Sequence, residues 1–288
     1  MIYAIVGPTC SGKSRLAFEI AKKIHGEIIN CDVFQMYKEL NIGTAKPGKK
    51  ERDAIRHHLF DILSPDQYCS VADYQKLVRP IIDDLLSRNI PVIIVGGGGL
   101  YLRAALYDYE FHEQKIVDLS RFQNMSNNEL YDYLKTIDFD ESKKLHPNNR
   151  QRVMRAISIY MQEGISKSEL LATQRHVLLY KVRFYAISLP REGLYRRIDD
   201  RVEKMFADGL LSEAESLYKK YGENIPAFRA IGYKESIGYL NGLTDVNGAK
   251  EAIKKHTRNY AKTQMTFYRH QFPTLQWIRE IKDVIFDE

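Results

Sequence analysis

Eight residues near the start of the chain, GPTCSGKS (Gly7, Pro8, Thr9, Cys10, Ser11, Gly12, Lys13 and Ser14), satisfy the pattern G-x-x-x-x-G-K-[ST] of a phosphate-binding loop. Each residue type has a task there. Glycines let consecutive backbone N–H groups converge on phosphate oxygens, the lysine neutralises them, and the hydroxyl of Ser14 can ligate Mg2+. The loop fixes the ligand class and leaves its identity open. A nucleotide hydrolase or kinase keeps a second magnesium-binding aspartate at the end of a buried strand, yet the run PVIIV is followed by glycines at residues 96–99. The acidic residue well placed at a strand end is Asp32, in NCDVFQMY, where a carboxylate serves as a helix cap or as a general base. Two basic stretches, KKLHPNNRQRVMR (143–155) and KKHTRNYAKTQMTFYRH (254–270), mix cations with Tyr260, Phe267 and Tyr268. Such a mixture neutralises phosphates and stacks bases, or forms two solvated helix faces with the aromatics turned inward.

The elements that must hold these groups read as alternating strands and helices. MIYAIV is a short apolar run ending at the loop, and Leu16, Ala17, Ile20, Ala21 and Ile24 recur at helical spacing after it. EIIN leads to Cys31 and Asp32 at the carboxyl end of a second strand, the edge where open parallel sheets bind ligands. Ser70 and Asp73 form a capping box for a helix to about Arg88, with Pro80 expected to kink it or mark a second start. PVIIV, β-branched and bounded by proline and glycine, reads as a fully buried parallel strand. Between residues 111 and 179 the pattern is helical with polar turns, QNMSNNE and HPNN, and looks inserted. VRFYAISL restores a strand, after which the chain reads as helical to near its end. The expected fold is α/β: a parallel sheet of the P-loop NTPase type flanked by helices, in residues 1–110 plus 180–288, with an all-helical insertion at 111–179.

Composition sets outer limits. With 288 residues, 44% of them hydrophobic and 28% charged, the chain can bury a substantial core and is neither disordered nor collagenous. No apolar run approaches the roughly 20 residues that span a bilayer. The first residues lack a signal-peptide pattern, so a cytoplasmic location is expected. Three separated cysteines, Cys10, Cys31 and Cys69, suggest neither a disulfide framework nor a zinc site. A net charge of +6 favours an anionic partner, and nothing implies a membrane or a protein partner.

Seven ordered segments together resemble one family, the tRNA dimethylallyltransferases, also called tRNA isopentenyl transferases. They are GPTCSGKS, DVFQMYKELNIGTAKP, HHLFDILSP, GGGGLYLRAAL, LHPNNRQRVMRAI, FRAIGYKE and TRNYAKTQMTFYR, and they span nearly the whole chain. The resemblance implies transfer of a dimethylallyl group from dimethylallyl diphosphate to N6 of adenosine 37, beside the anticodon, of tRNAs reading codons that begin with U. It implies Asp32 as the catalytic base, Arg229 at the diphosphate or reacting centre, and the phosphate loop with Mg2+ on Ser14 as the holder of the leaving diphosphate. It further implies tRNA contacts from Asp32, Val33, Phe34 and Gln35, from the position of Gly98, and from Gln151, Arg152, Val153, Met154 and Arg155, with the insertion on the anticodon stem.

The chain departs from that family's pattern at three places. Val33 stands where a serine is usual, Gly98 where GGTGLY has threonine, and Thr263 where a second basic residue is usual. The expected consequence is an active transferase with weaker or altered tRNA contacts, and restoring Thr at Gly98 and Ser at Val33 should then strengthen them. The insertion is also short between Tyr109 and Leu145. Three other readings stay open at this stage. One is an adenylate isopentenyltransferase acting on free AMP, ADP or ATP. The others are a P-loop small-molecule kinase and a catalytically silent RNA-binding protein.

Overall fold

Every residue of β1 (Ile2–Val6) is buried, because the strand is flanked on both sides by other parallel strands and covered on both faces. The computed structural model describes residues 1–111 and 117–286; residues 112–116, assigned above to the insertion, and 287–288 lie outside the described residues. The sheet holds β1, β2 (Glu27–Asn30), β3 (His57–His58), β4 (Val92–Val95), β5 (Val182–Ile187) and β6 (Gln276–Ile278), in the order β3-β2-β4-β1-β5-β6, all pairings parallel. Asn30 pairs with Val95 and Val95 with Ile5, so the carboxyl ends of β2, β4 and β1 form one edge. The phosphate loop, Asp32 and the glycine run emerge there side by side.

The first part of the sheet is threaded by α1 (Lys13–Ile24), α2 (Val33–Met36), α3 (Lys49–Ala54), α4 (Val71–Ser87) and α5 (Gly99–Leu106). The Ser70–Asp73 capping box starts α4 as expected. Pro80 does not mark a second start, because α4 is a continuous element from Val71 to Ser87. The missing N–H costs one helical bond, and the buried stripe Tyr74, Val78, Ile82 and Leu85 fastens both halves to the core.

The chain divides into two compact units, Met1–Leu106 with Tyr180–Glu288, and Tyr107–Leu179. The second contains α6 (Ser120–Gln123), α7 (Asn127–Ile137), α8 (Phe139–Ser142), α9 (Arg150–Glu163) and α10 (Lys167–Ala172). It has its own core of Phe122, Leu130, Leu134, Leu145, Val153, Ala156 and Ile157. Returning to the first unit, α11 (Arg191–Ala207), α12 (Leu210–Tyr221), α13 (Tyr233–Leu240) and α14 (Val246–Gln271) complete it, with a 3-10 turn at Pro226–Arg229. Two strands escape the sequence reading. β3 has two residues and β6 three, too short to display a period of two. Among the described residues no helix is long and apolar enough to cross a membrane.

Candidate active site

The phosphate loop turns on positive-φ backbone at two glycines, Gly7 at φ 151° and Gly12 at 96°, and at the non-glycine Cys10 at 64°, a conformation that L residues rarely adopt. At Gly7 a Cβ would lie 2.8 Å from Ser11 Oγ, so the turn has no room for a side chain. The loop delivers the chain into the N-terminus of α1, which has no side-chain cap and no acidic residue in its first turn. Its positive dipole end and free N–H groups are therefore left for an external anion.

Asp32 is aimed by its neighbour two residues back. The buried Asn30 side chain accepts the Asp32 N–H at 2.9 Å and donates to the carbonyls of Asp32 and Leu59 at 2.8 and 3.0 Å. The Asp32 carboxylate then accepts the Phe34 N–H at 3.1 Å and caps α2, so the capping role and a chemical role coexist in one group. Burial raises the Asp32 pKa above the ordinary carboxylate value, outweighing the charges of Lys13 and Arg201 and the Phe34 N–H. Burial likewise lowers the pKa of Lys13, against the pull of Asp32. Burial thereby pushes each group toward neutrality, and an anion bound beside Lys13 would favour its charged form.

Two later helices hold the loop from above. On α11, Arg201 Nη1 donates to Thr9 Oγ1 at 3.0 Å and Arg197 to the Ser11 carbonyl at 3.2 Å. On α14, the buried Gln264 accepts the Thr9 N–H at 3.0 Å and donates to the Gly97 carbonyl at 3.0 Å, tying the phosphate loop to the glycine run. Tyr268 adds a second donor to Gly97 O at 3.0 Å. The glycines there answer to packing. A Cβ at Gly96 would sit 2.2 Å from the Cys31 carbonyl, at Gly97 2.3 Å from Gln264, and at Gly99 2.4 Å from Phe267.

Two cavities of about 240 Å³ each open at this edge. The first is lined by Thr9, Cys10, Gly12, Lys13, Ser14 and Gln35, among others. The second is more apolar, with Phe34, Ile198, Val202, Met205, Ile231 and Ile253, and carries Arg229 at its wall. Thr9, Asp32, Thr44, Arg201 and Tyr260 line both. Asp32 thus stands between an anion cradle and an apolar pocket.

Arg229 ends the 3-10 turn, is exposed, and makes no ion pair among the described residues, which leaves its guanidinium available at the cavity wall. Gln35 lines the first cavity and donates to the Thr44 carbonyl at 3.0 Å. Phe34 lines the second cavity. Val33 lines neither and packs against the core formed with α12 and α13. Gly98 also lines neither: its N–H donates to the Cys31 carbonyl at 3.1 Å, and a Cβ would meet that oxygen at 2.8 Å. A threonine at Gly98 would therefore have to displace the Cys31 carbonyl before its side chain could reach a ligand.

In the helical unit, Gln151, Arg152 and Arg155 are exposed on α9, and Met154 is half-buried against the core. Val153 has 0% exposure, so its side chain belongs to the core of this unit and only its backbone could face a ligand. The helical period turns it inward with Ala156 and Ile157. Arg150 of the same motif turns back to hold the carbonyls of Phe122, Gln123 and Met125. In the second basic stretch Tyr268 is buried and Phe267 packs at Gly99, whereas Tyr260 reaches the cavities. The sequence reading passed over Arg201 and Gln264 as individual residues. The signal available for Arg201 was its spacing of four from Arg197 beside the buried Leu194, Ile198 and Val202.

For Mg2+, the donor set fits only in part from the protein side. The Ser14 hydroxyl lines the first cavity, and no cluster of three His, Cys, Asp or Glu exists among the described residues. Magnesium commonly takes one or two protein oxygens and fills its shell with phosphate and water, which the cradle accommodates.

Residues 35–271 match the family model described as IPP transferase. The chain is 41% identical to the tRNA dimethylallyltransferase of Anoxybacillus flavithermus, over 99% of this chain and 92% of that protein. Its fold is similar to that of a tRNA delta(2)-isopentenylpyrophosphate transferase from Staphylococcus epidermidis, with TM-score 0.72 and 36% identity over 99% of this chain and 94% of that one. It is also similar to a eukaryotic dimethylallyltransferase acting on tRNA, with TM-score 0.84 and 28% identity over 98% and 74% of the respective chains.

Proposed function

Since the chain belongs to the IPP transferase family, we propose that it transfers the dimethylallyl group of dimethylallyl diphosphate to N6 of adenosine 37 in tRNAs reading codons that begin with U, releasing diphosphate. The observation that carries this reading is the placement of Asp32, which lines both the phosphate-loop cavity and the apolar cavity beside it. A carboxylate there reaches a nucleophile entering from one side and a carbon held by its diphosphate from the other.

The chemistry assigns the roles. An exocyclic adenine amine is a weak nucleophile, because its lone pair is delocalised into the ring, and its proton must leave as the N6–C1 bond forms. Asp32 takes that proton, and the rise in its pKa caused by burial makes it a stronger base than an exposed aspartate. As C1 leaves oxygen, negative charge grows on the diphosphate. The loop amides, Lys13, Arg201 and Arg229 stabilise it. Ser14 would hold Mg2+ together with diphosphate oxygens, and the ion would supply further charge neutralisation there. Val33 contributes nothing at the cavities in this reading, and Phe34 and Gln35 form part of the wall.

Extruding the adenine from the anticodon loop costs a few kcal/mol. Tyr260, 40% exposed and facing both cavities, offers a ring for the flipped base. Gln151, Arg152 and Arg155 on α9 supply donors for the stem backbone. The test is incorporation of label from dimethylallyl diphosphate, with Mg2+, into an anticodon stem-loop, free AMP, or neither acceptor. Label in the stem-loop alone supports the reading; label in AMP alone, or in neither, defeats it.

A further inference from the structure

Residues 40–46 close one side of both cavities, the first through Thr44, Ala45 and Lys46 and the second through Gly43 and Thr44, yet they contain no helix or strand and include Ala45 at the left-handed φ of 48°. Their backbone is held from outside. Asn41 N donates to Glu213 Oε2 at 3.1 Å and Ile42 N to Glu213 Oε1 at 3.0 Å. The Tyr233 hydroxyl donates to the same Glu213 carboxylate. With its proton committed there, the phenol oxygen accepts the Gly43 N–H at 3.2 Å. Three successive amides are therefore fixed by two side chains, one on α12 and one on α13.

We infer that Glu213 and Tyr233 are positioning residues for the anion cradle, acting through Gly43 and Arg201. Neither residue lines either of these two cavities. The fit is steric as well as polar: Tyr233 has 0% exposure, and a Cβ at Gly43 would lie 2.3 Å from its ring. On its other side Gly43 presents its carbonyl to Arg201 Nη2 at 3.5 Å, and Arg201 Nη1 reaches Thr9 Oγ1 at 3.0 Å. A shift of the loop at 41–43 thus moves the guanidinium that braces the phosphate loop. Burial, reinforced by the Glu213 charge, raises the Tyr233 pKa far enough to keep the phenol protonated at neutral pH.

This inference rests on the reading of the loop as a diphosphate cradle, and its test separates the two. Tyr233→Phe keeps the ring and removes the hydroxyl; Glu213→Gln keeps the shape and replaces one acceptor oxygen with a donor. For Tyr233→Phe, amide hydrogen exchange at residues 41–43 and at 7–12 is expected to accelerate about tenfold, and inorganic pyrophosphate to bind about tenfold more weakly. The kcat of prenyl transfer should fall by a similar factor with tRNA affinity unchanged, and Glu213→Gln should fall between this variant and the unaltered chain. Acceleration confined to 41–43, with pyrophosphate affinity and kcat unchanged, would overturn the inference. Exchange and pyrophosphate binding are read without any transfer. An inactive but correctly responding chain therefore counts against the proposed reaction and not against the clamp.

Discussion

Substituting Gly98 distinguishes crowding from a lost contact. The added Cβ would stand 2.8 Å from the Cys31 carbonyl and 3.2 Å from Tyr101 Cδ2. The carbonyl is backbone, is already bonded to the Gly98 N–H at 3.1 Å, and belongs to the residue before Asp32. Relief therefore displaces either the glycine run, packed against Gln264 and Phe267, or the strand end that aims Asp32. Overpacking of this kind costs about 1–3 kcal/mol. In a chain of this size each kcal/mol lowers Tm by roughly 2–4 °C, so a fall of about 2–12 °C is expected. A displacement of Asp32 of even a fraction of an ångström is expected to reduce kcat by about tenfold or more. Alanine and threonine share the offending Cβ, so Gly98→Ala should show most of the loss seen in Gly98→Thr. Differential scanning calorimetry and single-turnover transfer to a stem-loop measure both effects. A Gly98→Thr variant with unchanged Tm and tighter tRNA binding would refute the crowding argument and restore the view of Gly98 as a missing contact.

Other consequences follow from the same geometry. Asp32→Asn should lower transfer by about 10²–10⁴-fold while leaving pyrophosphate affinity within a small factor, measured by calorimetry; near-normal transfer would remove Asp32 as the base. Because the Asp32 pKa is raised, the base is lost as pH falls through that value, so the acid limb of kcat/KM should lie above the ~3.9 of an ordinary aspartate and vanish in the Asn variant. Cys31 and Cys69 are buried whereas Cys10 lines the phosphate cavity, so iodoacetamide should label Cys10 first and pyrophosphate should protect it; mass spectrometry of the peptides reads both. Arg152→Ala should leave Tm unchanged and reduce the salt dependence of tRNA binding by about one unit of slope. Arg150→Ala should lower Tm instead, because it frees the carbonyls of Phe122, Gln123 and Met125.

How far the site could be read in advance depends on the distance over which its parts interact. The phosphate loop and Asp32 were legible because local pattern places both at strand ends, and a parallel sheet brings such ends to one edge. Gln264 was not. Its meaning arises only when α14 lies across residues 9 and 97, a contact separated by 255 and 167 positions along the chain. The run QRVMR reads as one basic block, and only the helical period sends Val153 inward while Arg152 and Arg155 stay outside. The glycines at 96–99 read only as a missing aspartate, yet a Cβ at any of the four would crowd the Cys31 carbonyl, Gln264 or Phe267. At Pro80 the second start that local chemistry allows does not occur, because the buried stripe of α4 carries the helix through.

In the proposed reaction the phosphate loop holds a leaving diphosphate and spends no nucleotide. The most direct test is the stoichiometry of products when the protein is given dimethylallyl diphosphate, Mg2+ and an anticodon stem-loop, with a parallel reaction in which ATP replaces the prenyl donor. One pyrophosphate is expected for each N6-dimethylallyladenosine recovered after digestion, with no inorganic phosphate from ATP. Phosphate release from ATP coupled to a phosphorylated acceptor, or pyrophosphate release without prenylated adenosine, would contradict it.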